Sequence, residues 1–211
     1  MTSKLESERT NLTARMTREL LLGHRGAVLW MTGLPGAGKS TLARALEQEL
    51  LLRGVLCAVV DGDELRSGLS QDLGYDPADR RENIRRATEV SLYLAEAGLV
   101  AIVALISPLR VDRAMAAERI RKRNVPFAKI FVNAPMSVCE RRDPKGLYRK
   151  ARAGNITSFT GIDAPYDTPV VPDCEIRTDV ESFPQCLERL TSFSLSLAGK
   201  PVATADHAAK S

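Results

Sequence analysis

Five short apolar segments recur along the chain, and most are followed by a stretch in which apolar positions repeat every three or four residues. The apolar segments are predicted to be strands: AVLWMTG (27–33), VLCAVV (55–60), residues 99–106, PFAKIFVN (126–133) and CEIRT (174–178). Helices are predicted from the glycine-rich turn to about residue 53, over 76–98, over 111–123 and from about Glu181. Strands alternating with helices predict an α/β fold of three layers, with about five parallel strands covered by helices on both faces.

The pattern divides the chain into one domain and two flanking segments. Residues 1–24 are a lead-in segment in which 12–22 predict a short amphipathic helix ending near Gly23. The domain is predicted over 25–197, and residues 198–211, which are small and polar, are predicted to be disordered. Residues 143–172 have no clear period and hold four prolines and three glycines. A loop this long inside a compact domain is typical of a lid, placed at about 141–163.

Composition and charge narrow the classes of function. The net charge of +4 is concentrated in RRDPKGLYRKAR (141–152), with the rest of the chain close to neutral, which favours a small anionic ligand over nucleic acid. The apolar stretch 99–106 is too short to span a membrane, and the polar N-terminus lacks the apolar core of a signal peptide, so a cytoplasmic protein is expected. Four cysteines without C-x-x-C spacing and two histidines argue against a zinc site.

The strongest local motif is GLPGAGKST, which fits G-x-x-x-x-G-K-[ST] between a predicted strand and a predicted helix. Glycines allow the backbone N–H groups to surround a phosphate, and the helix N-terminus favours an anion. The predicted ATP-binding residues are Gly33, Leu34, Pro35, Gly36, Ala37, Gly38, Lys39, Ser40 and Thr41. Lys39 is expected to contact the β- and γ-phosphates, and Ser40 to ligate Mg²⁺. The alternative is a glycine-rich turn that binds nothing.

The second motif is DGDELRSGL (61–69), which follows the second predicted strand. No acid ends the third strand and there is no N-K-x-D motif, so a GTPase or motor ATPase lacks its usual parts. Asp61 and Asp63 are then the only acids at the end of a predicted strand that lie close to the phosphate loop in sequence. Asp61 is predicted to hold a water on Mg²⁺, and Asp63 to act on an acceptor hydroxyl as general base or orienting group. The alternative is a solvated Asp-Gly turn that starts a helix.

Several basic and polar residues are candidates for binding an anionic acceptor. Arg80 and Asn83 lie three residues apart near the N-terminus of the long predicted helix, whose dipole favours anions. Arg81 and Arg85 are expected to be solvated or paired. The lid combines six basic residues with the aromatic ring of Phe159, a combination suited to a nucleotide with anionic groups or to a solvated basic loop.

These motifs together resemble a known family. GLPGAGKST, DGDELRSGL, DLGY, DRRENIRR, ISPLR, CERRDPKGLYRKARAG and FTGIDAPYD, in this order from about Arg18 to Thr178, are similar to the adenylylsulfate kinases of sulfate assimilation. The resemblance implies a P-loop kinase fold that transfers the ATP γ-phosphate to the 3′-hydroxyl of adenosine 5′-phosphosulfate (APS). The products would be ADP and 3′-phosphoadenylyl sulfate. It also implies a homodimer and allows association with ATP sulfurylase.

The resemblance assigns roles by position in the motifs. Asp63 would orient or deprotonate the 3′-hydroxyl. The other substrate contacts implied are Arg66, Arg80 and Asn83 at the phosphosulfate and ribose, Ile106 and Ser107 in the pocket wall, Lys145 and Leu147 in the lid, and Tyr75 and Phe159 on either side of the adenine. A phosphoenzyme role has been suggested for the serine matching Ser107; direct transfer is preferred, since nothing in the sequence requires a covalent step.

The chain departs from the family pattern at five positions, none of which removes a catalytic group. They are Pro35 and Ala37 in place of serines, Tyr75 in place of Phe, Leu109 in place of Tyr and Asn133 in place of an acid. Two alternatives stay open. One is a P-loop kinase for another small acceptor, such as a sugar acid or a nucleotide. The other is a non-catalytic nucleotide-binding partner of ATP sulfurylase, against which the intact Lys39, Ser40, Asp61 and Asp63 argue.

Overall fold

The computed structural model describes residues 2–199, with side chains from residue 12 onward. The strands are β1 (Ala27–Thr32), β2 (Cys57–Asp61), β3 (Val100–Ala104), β4 (Phe127–Asn133) and β5 (Cys174–Arg177). The helices are α1 (Thr2–Leu22), α2 (Lys39–Leu52), α3 (Gly62–Ser67), α4 (Pro77–Glu96), α5 (Arg110–Arg121), α6 (Met136–Arg142), α7 (Leu147–Arg152) and α8 (Phe183–Ala198).

The five strands form one parallel sheet in the order β2-β3-β1-β4-β5, which confirms the predicted α/β class. Ala104 at the end of β3 pairs with Asp61 on one side and with Met31 on the other. The carboxyl ends of β2, β3 and β1 therefore lie side by side. The chain order reverses next to β1, and ligands of such sheets bind at this switch point, beyond the carboxyl ends of the strands.

Alternation along β1 produces a core on each face of the sheet. Ala27, Leu29 and Met31 pack with α2 and α8, whereas Val28 and Trp30 pack with α4 and α5. All five side chains are fully buried. Burial on both faces explains why β1 reads in the sequence as a continuous apolar run.

The long predicted helix begins and ends as its sequence signals indicate. The Asp76 carboxylate accepts a hydrogen bond of 2.9 Å from the backbone N–H of Asp79, and Pro77 is the first helical residue of α4. Gly98 follows the helix with a φ of 97°, a left-handed conformation that glycine adopts without strain. These caps fix where α4 starts, and with it the position of the polar residues in its first two turns.

Four boundaries differ from the sequence-based expectation. Strand β3 ends at Ala104, before the left-handed Ser107, rather than at residue 106. The helix α7 lies within the stretch predicted to be irregular; six residues are too few to show a period. Helix α8 reaches Ala198, which is buried rather than part of a disordered tail, and residues 200–211 lie outside the described residues. Helix α1 begins at Thr2 instead of near residue 12.

The lead-in helix α1 is joined to the domain by a buried ion pair. Arg15 donates from Nε to Glu19 Oε1 at 2.8 Å, and the same oxygen accepts the backbone N–H of Gly26 at 3.2 Å. The Arg15 guanidinium also donates to the carbonyl of Asn124 at 2.9 Å. Arg15 and Glu19 are both buried, so this side of α1 is part of the packed structure.

Candidate functional site

The phosphate loop connects β1 to α2 and has the backbone geometry that its glycines predict. Gly36 and Gly38 have φ values of 77° and 101°, both left-handed. A Cβ at Gly33 would lie 2.3 Å from the carbonyl oxygen of Val132, so a side chain does not fit there. The loop therefore leads directly into the N-terminus of α2, where free backbone N–H groups favour a phosphate.

Lys39 is the first residue of α2 and its ammonium turns back over the loop. Nζ donates to the carbonyls of Gly33 at 2.9 Å and Leu34 at 3.0 Å. Burial lowers the pKa of Lys39 to about 8, although the nearby Cys139, Asp61 and Asp63 act in the opposite direction. A phosphate bound in the loop would bring the negative charge that a buried ammonium lacks.

Ser40 and Asp61 meet at the carboxyl edge of the sheet. Ser40 Oγ donates to Asp61 Oδ2 at 2.6 Å, and the other Asp61 oxygen accepts the backbone N–H of Asp63 at 2.9 Å. Asp61 is thus the N-cap of α3 and is buried. The turn does start a helix, as the alternative interpretation of DGD expected, but Asp61 is buried beside Ser40 rather than solvated.

The donor atoms at this point suit a magnesium ion. A hydroxyl and a carboxylate are hard oxygen ligands, and Mg²⁺ in phosphate sites keeps several waters and takes only one or two protein ligands. Among the described residues, no group of three or more His, Cys, Asp or Glu side chains could hold a metal ion. The Ser40–Asp61 pair fits an ion that completes its coordination with water and substrate phosphates.

Asp63 differs from Asp61 because its side chain is exposed. It projects from the first turn of α3 and accepts a hydrogen bond from Lys145 Nζ in the lid. Hydrogen bonding to Asp63 raises the pKa of Lys145, so the ammonium stays charged at neutral pH. The structure therefore brings together Lys39, Ser40, Asp61, Asp63 and Lys145, five residues that were predicted from three separate motifs.

The predicted acceptor residues Arg66 and Tyr75 are in contact. The Arg66 guanidinium lies 4.4 Å from the centre of the Tyr75 ring and donates to the carbonyl of Gly74 at 2.6 Å. The Tyr75 ring itself is exposed. An arginine stacked on an exposed ring forms a surface that combines a cation with an aromatic face.

Arg80 and Asn83 lie in the first two turns of α4. Arg80 donates to the carbonyl of Tyr75 at 2.7 Å and to Thr160 Oγ1 at 2.6 Å, which connects α4 to the end of the lid. Asn83 is buried, and its Oδ1 has no hydrogen-bond partner. A buried amide oxygen without a donor is uncommon and indicates a group that a ligand or water completes. Arg81 and Arg85 pair with Asp112 and Glu82, as expected.

Ile106 and Ser107 follow β3 in an unusual backbone conformation. Ser107 has a φ of 38°, which is uncommon for a residue with a side chain. It is buried, and its Oγ accepts a hydrogen bond of 3.1 Å from Trp30 Nε1. The carbonyl of Ile106 accepts from Thr32 Oγ1 at 2.6 Å, so the segment is attached to the end of β1.

The lid is attached to the phosphate loop through Tyr148, which the sequence interpretation did not single out. Tyr148 is buried, its hydroxyl donates to the carbonyl of Pro35 at 3.0 Å, and its ring lies edge-on to Phe159 with centroids 4.9 Å apart. Phe159 is also buried, and Leu147 is half-buried beside this core. The ring of Phe159 therefore packs within the lid, while that of Tyr75 lies under Arg66.

Two further residues at the phosphate loop were not predicted. Arg142, at the end of α6, donates to Thr178 Oγ1 at 3.1 Å. Thr178 Oγ1 in turn donates to the carbonyl of Ala37 at 2.9 Å. The signal for Arg142 was present, because it lies in the basic cluster of the lid. Thr178 carries no signal in the sequence beyond its place after the fifth strand.

An open cavity of about 470 Å³ lies between the phosphate loop and the segment after the lid. It is lined by Leu34, Met136, Gly161, Ile162, Asp163, Ala164, Pro165 and Tyr166. Its volume is within the usual range for small-molecule sites. Ser40, Asp61 and Asp63, the residues that the sequence predicted to take part in the chemistry, do not line this cavity.

The fold and site together define a P-loop kinase for a small molecule. The phosphate loop lies at the switch point of a parallel sheet, with the Ser40–Asp61 pair beside it. The exposed carboxylate of Asp63 is bonded to Lys145 of the basic lid. No helix within residues 2–199 is long and apolar enough to cross a membrane.

Comparison with known proteins identifies the family. The sequence model of the adenylylsulphate kinase family matches residues 25–177. An adenylyl-sulfate kinase of Yersinia pestis is 52% identical over 163 residues, which are 77% of this chain and 76% of the relative. The APS kinase of Mycobacterium tuberculosis, solved in complex with AMPPNP and APS, is 45% identical with a TM-score of 0.78 and covers 81% of this chain and 98% of its own.

A third solved structure is more distant. The hexameric APS kinase of Thiobacillus denitrificans is 27% identical with a TM-score of 0.61, and the match covers 82% of this chain and 29% of that one. The family match spans most of the chain and includes every motif described above. The chain belongs to the adenylylsulphate kinase family, and it is a kinase.

Proposed function

We propose that this enzyme transfers the γ-phosphate of ATP to the 3′-hydroxyl of adenosine 5′-phosphosulfate and releases ADP and 3′-phosphoadenylyl sulfate. The assignment of residues rests on one observation, which is that the two carboxylates of DGD (61–63) have different surroundings. Asp61 is buried and bonded to Ser40, whereas Asp63, two residues later, is exposed and faces the lid. One carboxylate thus serves the phosphate donor and the other serves the acceptor.

On the donor side, residues 33–41 bind the triphosphate through backbone N–H groups and the N-terminus of α2. Lys39 exchanges its two carbonyl partners for β- and γ-phosphate oxygens. Ser40 would ligate Mg²⁺, and Asp61 would hold the ion through a water. When bound, the ion neutralises charge that develops on the phosphate oxygens. The Ser40–Asp61 hydrogen bond supports this role because it already places two hard oxygen ligands together.

On the acceptor side, Asp63 orients the 3′-hydroxyl and accepts its proton, while Lys145 keeps the carboxylate directed toward the site. Arg66, Arg80 and Asn83 bind the phosphosulfate and ribose. The unpartnered Oδ1 of Asn83 supports this, since a ribose hydroxyl can donate to it. We further propose that Tyr75 and Phe159 hold the adenine, and that Ile106, Ser107 and Leu147 complete the pocket.

Transfer occurs directly between the two substrates rather than through a phosphorylated serine. The Ser107 hydroxyl is buried and engaged by the indole N–H of Trp30. The approach of a γ-phosphate in line with this oxygen would require the hydroxyl to be uncovered and the contact with Trp30 to be lost. An exposed carboxylate at Asp63 needs no such rearrangement.

The experiment that tests this function is a panel of acceptors. ADP release is measured with MgATP and, in turn, adenosine 5′-phosphosulfate, AMP and gluconate at matched concentrations. Of the three acceptors, we expect only adenosine 5′-phosphosulfate to give ADP. Its product should carry phosphate on the 3′-oxygen, which phosphorus NMR identifies. Release of ADP with gluconate or AMP, and none with adenosine 5′-phosphosulfate, would show that the chain serves another acceptor.

We also propose that the enzyme is a cytoplasmic homodimer that can associate with ATP sulfurylase. Its cysteines are all unpaired within the described part of the chain, which suits a reducing compartment. The hexameric relative supports self-association without fixing the number of subunits. Light scattering coupled to gel filtration measures the mass directly, and a single peak near 23.1 kDa would contradict a dimer.

A further inference from the structure

We propose that Arg113 is a positioning residue that holds together two walls of the acceptor site, residues 106–108 after β3 and residues 159–167 at the end of the lid. The proposal rests on the proposed function, because that function assigns Ile106, Ser107 and Phe159 to these walls. Arg113 itself is placed in the second turn of α5, outside all the motifs assigned to substrate.

The Arg113 side chain is buried and reaches both walls with one guanidinium. Nη1 donates to the carbonyl of Ser107 at 2.6 Å and to that of Pro108 at 2.8 Å, while Nη2 donates to the carbonyl of Asp167. The two nitrogen atoms therefore join segments that are 60 residues apart in sequence. A planar fork with several fixed donors is suited to this task, and a lysine ammonium is not.

Contacts around the guanidinium strengthen the same connection. The guanidinium lies 5.7 Å from the centre of the Tyr166 ring, and the Tyr166 hydroxyl is 3.0 Å from Thr32 Oγ1. The backbone N–H of Asp167 donates to the carbonyl of Pro108 at 2.9 Å. Through Thr32, which also bonds the carbonyl of Ile106, the connection reaches the strand that leads into the phosphate loop.

The backbone conformation of Ser107 explains why the hydrogen bonds from Arg113 are needed. Its φ of 38° is unfavourable for a residue with a side chain and persists only where surrounding contacts enforce it. The two Arg113 bonds flank this residue on its carbonyl side, and the Trp30 indole holds its hydroxyl. Loss of the guanidinium removes the contacts on one side, so the segment is expected to relax away from the acceptor.

Electrostatics agree with a positional role. Arg113 donates to three main-chain carbonyls, so its hydrogen bonds are made to the backbone of the two walls. Burial lowers the pKa of Arg113, with Tyr166 and Asp167 opposing the shift, and an arginine stays charged at neutral pH in spite of this. The adjacent carboxylate, Asp112, is paired with Arg81 on α4 instead.

The chain offers a matched control for the loss of a buried arginine. Arg15 is similarly buried and also donates to a main-chain carbonyl, that of Asn124. It lies on α1, near the amino ends of the strands, whereas Arg113 serves the carboxyl ends. Replacing either arginine removes a buried cation, but only Arg113 is expected to affect the acceptor.

The test compares Arg113→Met, Arg113→Lys and Arg15→Met by initial rates with each substrate varied. We expect Arg113→Met to raise the KM for adenosine 5′-phosphosulfate about tenfold or more, since small displacements of binding groups are costly, and to leave the KM for MgATP within about twofold. Arg113→Lys should give an acceptor KM between those of the wild type and of Arg113→Met. Arg15→Met should lower the melting temperature without changing either KM.

Equal effects of Arg113→Met on both KM values, or on neither, would overturn the proposal and leave Arg113 a residue of stability alone. If that variant does not fold, Tyr166→Phe decides, because it removes only the hydroxyl at Thr32. It should raise the acceptor KM selectively, and an unchanged acceptor KM in both Tyr166→Phe and Arg113→Lys also refutes the proposal. Wild-type enzyme inactive on adenosine 5′-phosphosulfate would instead contradict the proposed function.

Discussion

Lys145 donates a hydrogen bond to the carboxylate of Asp63, a contact between residues 82 positions apart that joins the lid to the start of α3. Both side chains are more than half exposed, so the ion pair contributes little to the free energy of folding. In the proposed mechanism its value is positional, because it directs the carboxylate of Asp63 toward the acceptor. The first two predictions separate the roles of its partners.

Asp63→Asn should reduce turnover by about 10²-fold or more while ATP affinity stays near normal, because the amide cannot accept the proton of the acceptor hydroxyl. Steady-state rates and calorimetric titration with a non-hydrolysable ATP analogue measure the two quantities. The control is Glu64→Gln, the next residue of α3, which is exposed and paired with Arg44. Unchanged turnover in Asp63→Asn would remove this residue from the assigned role.

Lys145→Met should lower kcat/KM for the acceptor by about 10- to 100-fold, since a preorganised cation is lost beside the reacting oxygens. Binding of the ATP analogue should be unaffected. The matched control is Lys150→Met, an exposed lysine of the lid helix α7. Similar losses in both variants would mean that the general positive charge of the lid, and not the contact with Asp63, is what matters.

Tyr148→Phe should destabilise the protein by about 1 kcal/mol, because it leaves the partly buried carbonyl of Pro35 without its donor. For a protein of this size the melting temperature should fall by about 2–4 °C. The substitution keeps the ring against Phe159. Bound ATP analogue should restore part of the loss, and Tyr93→Phe, on the exposed surface of α4, should change nothing.

The buried ammonium of Lys39 predicts proton uptake when ATP binds. Its pKa is about 8 in the free protein and rises in the complex, because phosphate charge favours the protonated form. Affinity is then complete below pH 8 and is lost as pH rises through 8 toward the pKa of the complex. At pH 8 about half a proton should be taken up, measured by calorimetry in two buffers of different ionisation enthalpy. Lys39→Met should abolish this uptake, and uptake centred near the ordinary lysine pKa would contradict the assignment.

The features that the sequence predicted correctly depend on neighbouring residues. Local sterics and burial determine the phosphate loop, the Asp76 cap of α4 and the five apolar strands, because each is formed by a contiguous stretch of the sequence. The hydrogen bond between Ser40 and Asp61 was not itself predicted; it forms because parallel strands end at the same edge of the sheet.

The contacts that were missed join distant segments. Tyr148 and Pro35 are separated by 113 residues, and no local pattern indicates that a lid tyrosine reaches the phosphate loop. Arg113 did leave a signal, because it shares a helical stripe with Ala116, Ala117 and Ile120, all buried. A cation in an apolar stripe indicates a buried charge with tertiary partners, but which carbonyls it reaches depends on the folded backbone.

The ion pair between Arg15 and Glu19 bears on where the autonomous folding unit begins. The family match starts at residue 25, yet Glu19 supplies the acceptor for the Gly26 N–H and Arg15 the donor for the Asn124 carbonyl. Cutting the chain at the edge of the shared sequence would orphan both backbone groups at the amino ends of the central strands. The packed structure therefore extends beyond the family match on its amino side, through a helix that lies away from the phosphate loop.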